Sequence, residues 1–565
     1  MTLARKHRRC CTLSKRLALH VWLLVLAWAG GAQPQERIHR SNTHYEQGDW
    51  ITYTTTRFVR HLCLGDRYVY FATTGGLSRL DFYTNRYDPP WTVSNGLASN
   101  NLYLVAYDFN TGLLWCVTDV SVSFQEPATQ IWNNRYFDES EIGNRRITSI
   151  GFGDDRRVYL ATSQRQWFVS DNTSADFRAS TSSSAVIQWH GALAPLEPDP
   201  PFLFMSDGYL YNELDRTITD FKLRKFPLTC WLRDRFQNLY VGTWGLGAGV
   251  ANLATFRLEL YPYGLWNPAV DAIEPDRDAF WLGGVQKEEP GRAGVTEWAI
   301  DRHAPYYYEA YLHTGFSDDR VTCIAVDDPH VWLGTHNGLV LYHRDKDQWR
   351  SFHQVHHLLD ERINDLLVDD RYLWVATEAG VSRVMKKTVN TDSMRIQTIA
   401  YRDLGGLAVY DLDQQGSSIW MGTEYGVYLY DSAADSGGFY QGLEDPGSQR
   451  IYSVSVCEDE VWFGGEDGIA GLDLAADEWI KGAGRLYDLE LNVYRIRATP
   501  SAVWAGTDQG VLKFDRERQR WVHFTTADGL PDNRVRAIHP DGDYIWFGTA
   551  AGLTRFYWNS PFRID

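Results

Sequence analysis

Val331-Trp332-Leu333-Gly334-Thr335-His336-Asn337-Gly338-Leu339 reads as a strand, a tight turn and the start of a second strand. The apolar and small residues up to Thr335 suit a strand buried between two neighbouring sheets, with Trp332 as the large packing group and Gly334 admitting a close neighbour. His336-Asn337 before Gly338 reads as a hairpin turn, because glycine takes positive φ without steric cost. The same frame returns at Trp374–Gly380, Trp420–Gly426, Trp462–Gly468 (Gly465 standing for Thr), Trp504–Gly510 and Trp546–Gly552, with the tryptophans 42, 46, 42, 42 and 42 residues apart. A period of that length marks a repeat architecture. Each unit has room for four short strands, so the closed form expected is a β-propeller.

A second signature lies between anchors and is fullest from Trp521 to Val535, where an outer strand, a polar turn and the innermost strand of the next unit follow one another. Weaker copies run Asn95–Asn101, Gly264–Val270, Gly315–Val321 and Leu358–Ile363, and degenerate anchors stand at Tyr70, Trp115, Tyr159, Tyr240 and Trp281, with Phe204 the poorest. The fold class expected is all-β, with about twelve four-stranded blades arranged as two propellers, since rings usually carry about four to eight. The 51-residue interval from Trp281 to Trp332 places the seam, giving a first propeller over 33–305 and a second over 306–565. An alternative stays open. The last unit stops after Leu553–Tyr557 without an outer strand, while Asp49–Tyr53 reads as an orphan outer strand; pairing the two would close one ring with the other inserted within it.

The run Gly-Leu-Pro-x-Asn-x-Val at 529–535, a strand, and then Trp-x-Gly-Thr-x-x-Gly-Leu at 546–553 resembles the two-component-regulator propeller repeat of periplasmic sensor regions and stand-alone secreted propellers. The resemblance spans the chain after its amino-terminal segment. It implies the fold strongly and the function weakly, because function resides in sites and not in folds. No membrane span, dimerising helix or kinase domain is read in these residues, so any signalling is expected to pass through another protein. A looser resemblance, centred on Tyr70–Tyr87, is to the double-propeller component of the type IX secretion sortase complex, although the C-terminal domain expected there is not read in this chain.

Arg5, Lys6, Arg8, Arg9, Lys15 and Arg16 precede an apolar stretch, Val21–Ala29, and the small residues Gly30-Gly31-Ala32, the pattern of a cleaved signal peptide over 1–32. That stretch is short for a membrane span, so a periplasmic or secreted protein is expected. Removal of 1–32 leaves 49 Lys and Arg against 72 Asp and Glu, a balance of −23. Nucleic acids and anionic membranes reward positive surfaces and are disfavoured as partners. The remaining cysteines, Cys63, Cys116, Cys230, Cys323 and Cys457, are odd in number and scattered, which is no disulfide framework.

In a propeller, the two residues inside Gly-Thr-x-x-Gly ring one mouth of the channel. The candidate ligand-binding residues are therefore His336, Asn337, Glu378, Glu424, Tyr425, Glu466, Asp467, Asp508 and Gln509, an acidic and varied set on turns held by a rigid scaffold. The same polar residues also serve as turn chemistry. Eight histidines between His303 and His357 match no ligand spacing, so neither a metal nor a cofactor is expected. Asp81, Asp431, Asp473 and Asp515 read as hairpin-turn residues. No catalytic motif is found. Three readings follow: a non-catalytic envelope module recognising a saccharide, a peptide or a cell-envelope protein; a scaffold subunit of an envelope or secretion assembly; and a propeller lyase or hydrolase.

Overall fold

The structure is a computed structural model that describes residues 38–40, 45–46, 48–126, 129–171, 174–180, 185–206, 208–285, 294–299, 304–389, 394–440, 450–466, 468–480, 491–561 and 563. Residues 1–32, read from the sequence as a signal peptide, and Asp467 lie outside the described residues. No helix among them is long and apolar enough to cross a membrane.

The chain folds as a β-propeller protein of eleven sheets among the described residues, eight of them four-stranded and antiparallel. The repeat explains each sheet. Trp332 is fully buried. A Cβ added at Gly334 would lie 2.3 Å from Cys323 Sγ and 2.7 Å from Ile363 Cγ2, so the missing side chain is what lets the inner strand of the next sheet approach. Thr335 closes the hairpin: its Oγ1 donates to the Gly338 carbonyl at 2.8 Å and accepts from the Asn337 N–H at 3.0 Å. The same pair of bonds recurs at Thr377, Thr423, Thr507 and Thr549.

The inner strands Ala272–Asp276, Val321–Asp327, Ile363–Val368, Val409–Gln415, Ile451–Cys457, Val493–Ala498 and Val535–Asp541 pack one against the next, and the last packs back on the first. An inner strand borders the channel with one edge, so some of its N–H groups have no ladder partner. Side chains of the preceding sheet take their place. Asp365 accepts from the Leu412 N–H at 2.9 Å, Asp411 from Val454 at 2.8 Å, Ser453 from Ile496 at 3.0 Å and Asp413 from Val456 at 2.8 Å. The last sheet, Val535–Tyr557, receives its fourth strand from the other end of the chain. Trp50–Tyr53 pairs antiparallel with Gly552–Tyr557, Trp50 opposite Phe556, with their rings stacked at 3.9 Å.

The remaining sheets begin at Val59, Leu102, Ile147 and Lys225. The chain crosses to them at Thr54–Arg57 and returns at Tyr263–Asn267. The two crossings are tied together by Leu265 N–H to the Thr54 carbonyl at 2.9 Å and by Thr56 Oγ1 to the Tyr263 carbonyl at 2.7 Å. The unit expected at Phe204 forms no sheet of its own. Ile187–Gly191 joins the sheet of Ile147–Gly153, whereas Phe204–Met205, Leu210–Asn212 and Thr217–Thr219 join that of Lys225–Tyr261. Pro195, Pro198, Pro200 and Pro201, which cannot donate to a ladder, fall in the stretch between Gly191 and Phe204 where no strand forms, so the short strands on either side pair with separate sheets.

Candidate functional site

A register shift sits at one place in the inner strands, between residues 321/323, 363/365, 409/411, 451/453, 493/495 and 535/537. Such a bulge adds one residue and re-aims its side chain. The added residues are Thr322, Asn364, Tyr410, Tyr452, Tyr494 and Arg536. They form a belt at one mouth of the channel. Tyr410 and Tyr452 meet edge to face at 5.3 Å, Tyr452 and Tyr494 lie 6.4 Å apart, and the Arg536 guanidinium sits 5.6 Å over the Tyr494 ring while pairing with Asp271 at 3.2 Å.

The first residue of each hairpin pair stands against this belt, because its N–H donates to the carbonyl of the residue that precedes the inner strand. His336 bonds to Arg320, Glu378 to Arg362, Glu424 to Ala408, Glu466 to Arg450 and Asp508 to Asn492, at 3.0–3.3 Å. The side chains then divide. Glu466 accepts from Tyr452 OH at 3.0 Å and pairs with Arg450 at 3.1 Å, and Glu424 lies 3.7 Å from the same guanidinium. Burial, followed by the charge of Glu378, pushes the Tyr410 hydroxyl up to about 12. Thus Glu378, Glu424, Glu466, Arg450, Tyr410 and Tyr452 form one group. Asp508 instead accepts from the Asn492 backbone at 3.3 Å and its amide at 2.9 Å. His336 is half-buried, and burial together with Arg320 lowers its pKa.

The second residues of the pairs belong to a different environment. The Asn337 carbonyl accepts from Ser317 Oγ at 2.9 Å, and the Gln509 carbonyl from the His523 ring at 2.9 Å. Tyr425 is 50% exposed. None of the three makes the belt contacts above.

Below the mouth, the channel encloses a cavity of about 430 Å³ lined by Glu274, Asp365, Asp413, Arg495 and Arg497. Arg495 reaches past the neighbouring sheet to hydrogen-bond the fully buried Asp411, and lies 3.5 Å from Asp365; Arg497 is 4.0 Å from Asp411. Burial opposes the charge of Asp411, but Arg495 and Arg497 outweigh it and hold this carboxyl below its usual range. Burial and the neighbouring Asp411 raise Asp365. Burial pushes Glu274 up to about 7. Among the described residues, no group of three or more His, Cys, Asp or Glu is disposed to hold a metal ion. His330 and His343, from the histidine-rich stretch, are cross-strand partners with ring centroids 4.9 Å apart.

The site as built contains residues that the hairpin pattern does not indicate: the bulged tyrosines, Arg450, Arg536 and the charged channel. One signal for them lies in Val409-Tyr410-Asp411-Leu412-Asp413 and Val493-Tyr494-Arg495-Ile496-Arg497, where charges alternate inside strands whose position in the repeat makes them innermost.

Residues 529–551 match the family described as two component regulator propeller. The match covers one copy of the repeat built above. No curated protein matches the chain in sequence. Among solved structures, the chain is similar to PorZ, described as an essential bacterial surface component of the type-IX secretion system of Porphyromonas gingivalis, with a TM-score of 0.60, 15% identity and coverage of 90% of this chain and 87% of that one. At that identity the likeness is one of fold. Other similar structures are the extracellular domains of the B. thetaiotaomicron hybrid two component systems BT4673 (TM-score 0.46, 13% identity, covering 94% of this chain and 73% of that one) and BT3049 (0.41, 14%, 91% and 77%).

Proposed function

We propose that this chain is an exported, non-catalytic propeller module of the cell envelope that recognises a saccharide or peptide at the mouth ringed by Tyr410, Tyr452 and Tyr494. The observation that carries this reading is the alternation of aromatic faces with fixed charges at that mouth. Three tyrosines on consecutive sheets present apolar area at low entropic cost, and Glu378, Glu424, Glu466 and Arg450 offer acceptors and donors in fixed positions. His336 and Asp508, first residues of their hairpin pairs, extend the same rim. The amino-terminal signal pattern supports export.

The test is a thermal-shift screen of the chain against oligosaccharides and short peptides, since a ligand that binds only the native state raises its apparent stability. For any ligand found, Tyr452→Ala and Glu424→Ala should each weaken binding about tenfold, a change of ~1.4 kcal/mol. Unchanged affinity in both folded variants removes the mouth as the site.

A second reading is a scaffold subunit of an envelope or secretion assembly, favoured by the end-to-end structural likeness to PorZ. Silence across the ligand panel, with capture of an envelope protein by the intact chain, would select it. We further propose that one ring is inserted in the other, with residues 54–265 leaving and rejoining the ring closed by Trp50–Tyr53. The pairing of that strand with Gly552–Tyr557 and the packing of Ala272–Asp276 against Val535–Asp541 support this division.

A further inference from the structure

Beside the paired crossings lies a cavity of about 530 Å³, on the outer side of the sheet Ala272–Tyr308 and away from the channel mouth. Met205, Leu246, Leu258 and Leu260, from the sheet of Lys225–Tyr261 and the segment that joins it, line one side. Pro305, Tyr306 and Tyr307, on the outermost strand of the sheet that begins at Ala272, line the other. Trp266 stands at the seam and is held from both faces, with Tyr307 stacked at 4.3 Å and the Arg57 guanidinium 4.2 Å from the indole centroid.

The lining is apolar over most of its extent. Leu246 and Leu258 are buried. Of the polar side chains that reach the cavity, Glu309 is itself buried and already paired with Arg224 at 2.9 Å. A charged ligand would therefore find no uncommitted countercharge on this glutamate. Pockets for small ligands hold roughly 300–1,000 Å³, are mainly apolar and favour junctions between domains. Four aliphatic side chains, one of them a flexible methionine, fit a slender chain that bends with the floor better than a rigid polar body. Tyr306, 67% exposed, marks the opening.

We propose that this cleft is a binding site for a single linear hydrocarbon chain. Occupancy would bridge the two sets of sheets beside the core they already share. The site shares no residue with the tyrosine mouth, and the two assignments stand or fall separately.

The experiment is calorimetric titration of the full chain with 1-octanol, 1-dodecanol and 1-hexadecanol, with dodecanoate, and with a monoacyl phosphocholine carrying a twelve-carbon chain. Affinity should rise with chain length and level off once the cleft is filled, with one chain bound per protein. Binding of the alcohol and dodecanoate alone would assign the chain to a free fatty compound. Comparable binding of the phosphocholine would assign it to a lipid tail. Leu260→Trp, which fills the cleft from a half-buried position, should weaken binding at least about tenfold, whereas Leu196→Lys, at a 99% exposed position outside the cleft, should not. Should Leu260→Trp fail to fold, Tyr306→Ser removes part of the wall and should likewise weaken binding. The proposal is overturned by the absence of binding, by affinity independent of chain length, or by undiminished affinity in a folded cleft variant. Binding of a tryptophan-containing peptide but of none of the alkyl compounds also overturns it and gives the cleft to a protein partner.

Discussion

Glu274 stands in the channel with its carboxyl raised to about 7 by burial, against the charges of Arg497 and Arg495, which work in the opposite sense. Its Oε1 accepts from the Val326 N–H at 3.4 Å, and Asp276 on the same strand adds to the upward shift. A carboxyl that binds its proton more tightly in the native than in the unfolded chain stabilises at low pH. That contribution is complete below the unfolded value and is lost as pH rises through the native one. Asp365 acts in the same direction, and Asp411, held low by Arg495, in the opposite one. Glu274→Gln is therefore expected to flatten the decline in melting temperature between pH 5 and pH 8, as read by calorimetry at constant ionic strength. An unchanged slope would show that this carboxyl is ionised in the native protein throughout that range.

At the scale of the element, the strand Trp50–Tyr53 has the largest consequence for its length. It supplies the outer edge of the last sheet from the opposite end of the chain, and Trp50 is 2% exposed between Phe524, Phe547 and Phe556. Trp50→Ala removes an indole from a packed aromatic cluster. The cost expected is about 3–5 kcal/mol, read as a lower urea midpoint with an unaltered slope. Hydrogen exchange should rise first in Gly552–Tyr557, the strand left with an open edge, and spread from there to Tyr544–Thr549. Faster exchange that begins instead in Ile363–Val368 would contradict this order. The bulge is the other element-scale device. A shift of one residue in a ladder turns a side chain from the sheet face to the channel mouth, which is how Tyr410, Tyr452 and Tyr494 come to stand together.

For the whole molecule, the two sets of sheets share one buried core, in which Tyr87 stacks on Tyr263 at 4.7 Å and Tyr263 meets Trp298 edge to face at 5.8 Å, and Arg57 stands beside it. Arg57 is 1% exposed, its carbonyl accepts from Gly245 and Gly247 at 3.0 and 2.9 Å, and its guanidinium covers Trp266. Arg57→Ala keeps the backbone bonds and removes the stacked cation together with its stem, whose packing matters as much as its charge. The sheets on either side should keep their secondary structure while their relative position loosens. Small-angle scattering is then expected to show a larger and more variable maximum dimension, with far-ultraviolet circular dichroism unchanged. An identical scattering profile would mean that the shared core holds the two parts without Arg57.

The repeat at Trp332, Trp374, Trp420, Trp462, Trp504 and Trp546 determined by itself that the chain is all-β, that its units are four-stranded and that it is a propeller, because each of these depends on local chemistry. A buried indole, a glycine without a side chain at the point of closest approach and a threonine closing a hairpin act within one unit or between neighbours in sequence. The weakest unit, around Phe204, could not be resolved by the same reading, since its prolines leave the stretch before Phe204 without a strand and its short strands pair with a sheet built around Lys225–Tyr261. The candidate site was legible in part: the hairpin pattern led to Glu378, Glu424 and Glu466, but not to the tyrosines beneath them. Only the tertiary structure decided that Arg495 meets Asp411 and Asp365 across the channel, that Trp50 completes a sheet some five hundred residues away, and that Trp266 and Leu258 face one cleft. These contacts join residues far apart in sequence and exist only once the sheets have packed, so local pattern carries none of them beyond the open alternative that Asp49–Tyr53 pairs with the last unit.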